Sequence, residues 1–202
     1  MNTNDNGEGF KRTELEQENI DTLLNEHMDL LPKLGSNWNK HSLVTLRRQS
    51  MSKILYLDWI YKKLLGKPGV ICEFGVQWGA SLTILNNLSA IYEPYNHQRE
   101  IHGFDTFKGF SGVSLEDGNG HKKGDYSTSY GYKKQLSDIL KNIVSSNPLN
   151  HIDKTFLIEG DVSKTINPWL ERNPALAIGL AIFDMDVYKP TLDVLRAIKP
   201  RL

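Results

Sequence analysis

Four short apolar runs constrain the fold of this 202-residue chain more than any other feature, because each ends in or beside an acidic residue and is followed by a helical segment. The runs are Val70–Phe74, Ile101–Asp105, Thr155–Glu159 and 177–184. The fourth run is almost continuously apolar, which is typical of a strand buried on both faces of a parallel sheet. Strands that alternate with helices indicate an α/β fold. We therefore predict a doubly wound parallel sheet.

The chain before the first strand has a different pattern and predicts a helical segment over residues 13–66. Thr13 and Glu16 have the spacing of a capping box, so we expect a helix to begin there and to end at Pro32. A loop and a longer helix over 42–65 should follow, since leucines and isoleucines recur there at helical spacing.

The two ends of the chain differ from its middle. Residues 1–12 have no hydrophobic periodicity and are predicted to be disordered. Residues 67–202 carry the four strands, and Leu202 follows the helix after the fourth strand. A central apolar strand with a free edge is prone to aggregate. We therefore expect a domain truncated after its fourth strand, with a minimal complete domain as the alternative.

Composition and charge exclude several classes of partner. The chain has 24 basic and 24 acidic residues, so its net charge of zero gives no electrostatic argument for a nucleic-acid or anionic-membrane partner. The apolar runs are too short for a membrane-spanning helix, and the polar N-terminus does not resemble a signal peptide, so we expect a cytoplasmic protein. The single cysteine, Cys72, excludes an internal disulfide and a zinc site made of several thiolates.

Acidic side chains lie at the ends of all four predicted strands, the edge at which doubly wound sheets bind ligands. They are Glu73, Asp105, Glu159 with Asp161, and Asp184 with Asp186. An acid after a strand often only caps the next helix, so each residue alone has a structural alternative. Four such positions at one edge favour a ligand site.

The turn after the first strand contains Gly75 and Gly79 but lacks the middle glycine of a dinucleotide-binding fingerprint. This spacing favours a cofactor without a pyrophosphate over a nicotinamide dinucleotide. Asp105 ends the second strand, where an acid can accept hydrogen bonds from the ribose hydroxyls of an adenosine. Asp161 could contact the adenine amine or cap the following helix.

Four motifs resemble those of the macrocin O-methyltransferase-like family, whose members are class I S-adenosylmethionine-dependent methyltransferases. The motifs are Glu73-Phe-Gly-Val-Gln-Trp-Gly-Ala-Ser81, Gly103-Phe-Asp-Thr-Phe107, Glu159-Gly-Asp161 and Asp184-Met-Asp-Val-Tyr188. The resemblance extends from about Leu43 to the end of the chain. It implies a Rossmann-like sheet of the class I methyltransferase type and methyl transfer to a hydroxyl of a sugar or another natural product.

The resemblance also implies roles for individual residues. Those expected around S-adenosylmethionine are Glu73, Gly75, Gly79, Ser81, Asp105 and Asp161. Asp184 is expected to be a metal ligand and the catalytic base, with Asp186 beside it in the same motif. Carboxylates two positions apart on an extended strand point to the same side, and such oxygen ligands suit Mg²⁺. Asp186 could instead be only a turn residue. Family members complete the metal site with an acidic pair after the next strand, which this sequence does not contain.

Several interpretations stay open at this stage. The expected partner is a small-molecule hydroxyl acceptor, and the N-terminal helices could form a homodimer or cover the cofactor. A nicotinamide-dependent oxidoreductase on the same kind of sheet is one alternative, and an inactive fragment or binding module is another. The glycine-rich stretch 108–132 has no predicted element, so it should be a lid or a disordered loop.

Overall fold

A computed structural model describes residues 13–202, and the tail predicted over residues 1–12 lies outside the described residues. The chain divides into two compact units, one that ends at Tyr56 and one that runs from Leu57 to Leu202. No helix in residues 13–202 is both long enough and apolar enough to cross a bilayer.

The first unit is helical and begins as the sequence predicts. Helix α1 (Glu14–Leu30) has the expected capping box, in which the Glu16 N–H donates to Thr13 Oγ1 at 3.2 Å and the Thr13 N–H donates to Glu16 Oε2 at 2.8 Å. A 3₁₀ helix (Leu31–Asn37), a short helix α2 (Trp38–His41) and a second 3₁₀ helix (Ser42–Thr45) follow. Helix α3 (Arg48–Leu64) begins in this unit and ends in the second one. It is shorter than predicted, because the backbone is extended at Leu46.

The second unit contains a four-stranded parallel sheet, which confirms the predicted fold class. Its strands are β1 (Val70–Phe74), β2 (Ile101–Asp105), β3 (Thr155–Glu159) and β4 (Ile178–Phe183). Their order across the sheet is β3-β2-β1-β4, and every neighbouring pair is parallel. The helices that follow are α4 (Ala80–Tyr92), α5 (Tyr132–Val144), α6 (Val162–Arg172) and α7 (Tyr188–Ile198).

Alternate side chains of the strands bury two separate cores, one on each face of the sheet. On one face, Ile71 packs with Leu85 of α4 and Leu136 of α5. On the other face, Phe74 packs in one apolar cluster with Trp169 of α6 and Val194 of α7. Helices therefore cover both faces, and the carboxyl ends of the strands remain as the edge at which ligands bind in such sheets.

Helix α6 is longer and more regular than the sequence suggests. A proline removes a backbone N–H from a helix, so Pro168 predicts only a turn or a weak helix over residues 163–171, yet α6 spans 11 residues with Pro168 inside it. The cap at Asp161 and the burial of Ile166 and Trp169 against the sheet stabilise the helix despite the missing N–H.

Candidate functional site

The strand register brings the predicted acidic positions to one edge of the sheet. Phe74 at the end of β1 pairs with Phe104 on one side and Phe183 on the other. Asp105 pairs directly with Glu159. The carboxyl ends of all four strands are therefore level, and the residues that follow them share one edge.

Asp105 connects the ends of β1 and β2 through its carboxylate. Its Oδ2 accepts a hydrogen bond from the Gln77 N–H at 2.8 Å, and its Oδ1 accepts one from the Phe107 N–H at 2.6 Å. Gln77 and Phe107 both have positive φ angles, of 48° and 54°. The carboxylate thus stabilises two strained turns, and its remaining lone pairs are available to a ligand.

The two glycines of the turn have packing reasons that sequence reasoning missed. Gly75 has a φ of 93°, and a Cβ there would lie 2.7 Å from the carbonyl carbon of Asp184. Gly79 has a φ of 78° at the start of α4, and a Cβ there would lie 2.5 Å from Leu136 Cδ1. Both positions therefore require glycine whether or not a ligand is bound.

The other residues predicted at the cofactor differ in burial. Glu73 is 1% exposed at the end of β1, and Ser81 is 2% exposed in the first turn of α4. Asp161 is half-buried and caps α6, since its Oδ1 accepts from the Ser163 N–H at 3.0 Å. The capping alternative for Asp161 is thus observed, and a contact with adenine remains a prediction.

Asp184 and Asp186 are both exposed in the connection between β4 and α7. The Asp184 N–H donates to the carbonyl oxygen of Phe74 at 2.8 Å, which fixes the start of this connection beside the glycine turn. Within residues 13–202 there is no group of three or more His, Cys, Asp or Glu side chains that could hold a metal ion. Two carboxylates with water ligands remain compatible with Mg²⁺, which commonly keeps several waters.

Two further features of this edge were not predicted from the sequence. Lys108 and Lys133 each place Nζ 3.6 Å from a carboxylate oxygen of Glu159, so this acid is surrounded by positive charge. Trp78 is 46% exposed, and its carbonyl oxygen accepts a hydrogen bond from the Tyr132 hydroxyl at 3.0 Å. Lys108 and Lys133 precede Glu159 by 51 and 26 residues, so no local spacing indicates these contacts.

A cavity of about 340 Å³ lies elsewhere, where the ends of α4 and α5 meet the start of β3. Asn86, Leu140 and Thr155 contribute to its lining. None of the predicted site residues lines it, so it is separate from the acidic edge.

Solved structures of O-methyltransferases are similar to this chain. The crystal structure of CalS11, a calicheamicin methyltransferase, matches with a TM-score of 0.87 and 35% identity, covering 100% of this chain and 79% of that chain. The chain belongs to the macrocin O-methyltransferase-like family of class I methyltransferases. The apo structure of CalS11, a TDP-rhamnose 3'-O-methyltransferase of calicheamicin biosynthesis, matches with a TM-score of 0.77 and 34% identity, covering 96% of this chain and 76% of that one.

The O-methyltransferase NovP also matches, with a TM-score of 0.50 and 16% identity over 74% of this chain and 60% of that one. At that identity the likeness shows the fold alone. No protein-family model matches this chain, and a search of curated proteins gives no match. Membership in the macrocin O-methyltransferase-like family makes the protein a methyltransferase and displaces the oxidoreductase alternative.

Proposed function

We propose that this protein transfers a methyl group from S-adenosylmethionine to a hydroxyl of a sugar or of another polyol natural product. The observation that carries the proposal is the 35% identity to CalS11 over the whole of this chain. CalS11 acts on the rhamnose of a nucleotide sugar, which makes a sugar hydroxyl the first acceptor to test.

The donor set at the edge fits S-adenosylmethionine. The turn between Gly75 and Gly79 lacks a phosphate-binding fingerprint, which suits a cofactor without phosphates. Asp105 presents a half-buried carboxylate beside that turn, where it would accept hydrogen bonds from ribose. We assign Glu73, Ser81 and the backbone of both glycines to the same site, and Asp161 to the adenine side.

The acceptor side is proposed to lie at the β4–α7 connection. When bound, the cofactor supplies an electrophilic methyl group. The acceptor oxygen forms the new bond to carbon as the carbon–sulfur bond breaks, and Asp184 takes the hydroxyl proton. Asp184 and Asp186 would hold Mg²⁺ through their exposed oxygens, and the ion would orient the hydroxyl.

We also infer a cytoplasmic location and a homodimer through the N-terminal helices.

Calorimetric titration with S-adenosylhomocysteine tests the cofactor site directly. We expect the folded chain to bind, and Asp105→Asn to weaken binding about tenfold or more, because it removes a charged acceptor. Asp138→Asn is the matched control, since Asp138 lies on the exposed face of α5. Asp105 also supports two turns, so the unfolding midpoint of each variant must be measured beside its affinity. A folded chain that does not bind would refute the proposal.

A transfer assay with labelled S-adenosylmethionine and TDP-rhamnose, extended to other sugars, tests the reaction. Asp184→Asn should abolish transfer while leaving S-adenosylhomocysteine affinity unchanged. Loss of transfer in EDTA, restored by Mg²⁺, would support the metal, and full activity in EDTA would contradict it. Cofactor binding without transfer to any acceptor would favour the binding-module alternative.

A further inference from the structure

Residues 108–131, which we name the strap, connect β2 to α5 and are more ordered than the sequence predicts. Lys108 forms an antiparallel bridge with Ser127. The Phe110 N–H donates to the carbonyl oxygen of Asp125, and the Gly124 N–H donates to that of Phe110, both at 3.0 Å. These contacts close the base of the strap, so residues 111–123 form a loop that extends from a fixed base.

The tip of the strap is a 3₁₀ helix (Leu115–Gly120) organised around Asp117. One carboxylate oxygen, Oδ2, accepts hydrogen bonds from the N–H of Ser114 at 2.5 Å and from its hydroxyl at 2.9 Å. The other oxygen, Oδ1, accepts from the N–H of Tyr188 at 2.5 Å. Asp117 therefore joins the tip of the strap to the first residue of α7, 71 positions along the chain.

The start of α7 needs such a partner. The first N–H groups of a helix have no acceptor within the helix, and the N-cap position here is Val187, whose side chain offers none. Asp117 supplies the acceptor from a distant segment, and its negative charge lies at the positive end of the helix dipole. Asp117 in the strap therefore caps the first residue of α7, on the edge of the sheet that carries the acidic residues.

The topology shows what this cap spans. The strap leaves the sheet at β2 and is held at α7, which follows β4, and β1 lies between those two strands. The strap therefore extends along the carboxyl edge past the glycine turn. Tyr188 comes two residues after Asp186, so the cap also fixes the far end of the connection that carries the candidate base Asp184 and the candidate metal ligand Asp186.

That connection is consequently held at both ends. The Asp184 N–H binds the carbonyl oxygen of Phe74 at its start, and Tyr188 binds Asp117 at its finish. We propose that Asp117 is a positioning residue for methyl transfer, whose carboxylate holds the strap beside the acceptor and sets the placement of residues 184–186. This inference rests on the proposed function.

The test compares Asp117→Ala and Asp117→Asn with Glu116→Ala, which removes the neighbouring exposed carboxylate of the same 3₁₀ helix. Hydrogen exchange at the Tyr188 amide reports the cap itself. Steady-state kinetics with the accepted sugar report positioning, and calorimetry with S-adenosylhomocysteine reports the cofactor site.

In Asp117→Ala we expect faster exchange at Tyr188 and a fall in kcat/KM for the acceptor of about tenfold or more, with cofactor affinity within about twofold of the wild type. Asp117→Asn should recover activity only in part, because its single carboxamide oxygen can accept from the N–H of Tyr188 or from that of Ser114 but not from both. Glu116→Ala should match the wild type in every measurement.

The outcomes separate the two proposals. A wild type that methylates no acceptor overturns the proposed function and this inference together. An active wild type whose Asp117→Ala variant keeps its kcat and KM overturns the positioning role alone. Unchanged exchange at Tyr188 in Asp117→Ala would overturn the inference as well, because the cap would then not hold the start of α7 in solution.

Discussion

Replacement of Arg99 by methionine should destabilise the second unit more than any surface change of similar size. The Arg99 side chain is 2% exposed and the Glu93 side chain 11% exposed. Arg99 Nε donates to Glu93 Oε2 at 2.9 Å, and its Nη2 donates to Glu93 Oε1 at 3.1 Å. The same guanidinium donates to the backbone carbonyls of Gly69 and, at 2.7 Å, Lys67. One side chain therefore joins the loop after α3 to the end of α4.

The expected cost follows from what Arg99→Met leaves behind. Removal of one partner from a buried ion pair typically costs about 3–5 kcal/mol. Glu93 would keep hydrogen bonds from the Tyr61 hydroxyl at 2.7 Å and from Asn96 at 2.9 Å, which reduces the cost. Three backbone carbonyls, those of Leu64, Lys67 and Gly69, would lose a donor, which increases the cost. We expect a loss of about 4 kcal/mol in the free energy of unfolding, or about 10 °C in Tm.

Urea titration followed by tryptophan fluorescence measures this loss. Lys134→Met is the matched control, because Lys134 pairs with Asp138 at 2.8 Å while both side chains are largely exposed, and its midpoint should not move. A double-mutant cycle with Glu93→Gln isolates the coupling of the pair. An Arg99→Met variant within about 1 kcal/mol of the wild type would refute the reasoning.

Acid titration gives a second check on the same pair. Burial alone would raise the pKa of Glu93, but hydrogen bonds from Arg99, Tyr61 and Asn96 outweigh it and hold the pKa below its ordinary value. A lowered carboxyl pKa adds stability above the unfolded pKa, and this stability is lost as the pH falls. The wild type should therefore lose stability below about pH 4.5 more steeply than Arg99→Met.

Two other substitutions have definite outcomes. Gly75→Ala should lower the free energy of unfolding by at least about 2 kcal/mol, since it adds a Cβ at positive φ against the backbone of Asp184. Gly112 has open space around it, so Gly112→Ala should change that free energy by less than about 0.5 kcal/mol in the same urea titration. Burial lowers the pKa of His102, and this effect outweighs the nearby Glu100 carboxylate, which raises it. On acidification the imidazole is therefore protonated more readily in the unfolded chain than in the native one. Stability should then fall as the pH drops below about 6.5, and His102→Phe should reduce that slope between about pH 7.5 and 5.5; equal slopes would contradict the assignment.

The strands were predictable because their signal is local. β1, β2 and β3 have the predicted bounds, since each is a run of five residues that ends at Phe74, Asp105 or Glu159. The shared acidic edge also follows from the sequence, because parallel strands in register end together. Local signals failed at α6, where burial of one face outweighed the effect of Pro168.

The contacts that determine the site are long-range, and the sequence does not indicate them. Asp117 and Tyr188 are 71 positions apart, and Asp105 and Gln77 are 28 apart. Nothing in the glycine turn shows that Gly75 adjoins the backbone of Asp184. No local pattern around Arg99 indicates that its side chain is buried, because its partners Glu93, Lys67 and Gly69 meet it only in the folded chain.

The contact between Gly75 and Asp184 has a consequence for engineering. A side chain added at Gly75 would displace the backbone of Asp184, so in the proposed site a change on the cofactor side at this position also changes the acceptor side. Val113 and Leu115 of the strap are 41% and 99% exposed, so their side chains can be changed without displacing Gly75 or Asp184. In the proposed site, a library for new acceptors is therefore better begun at those two positions, with Gly75 left invariant.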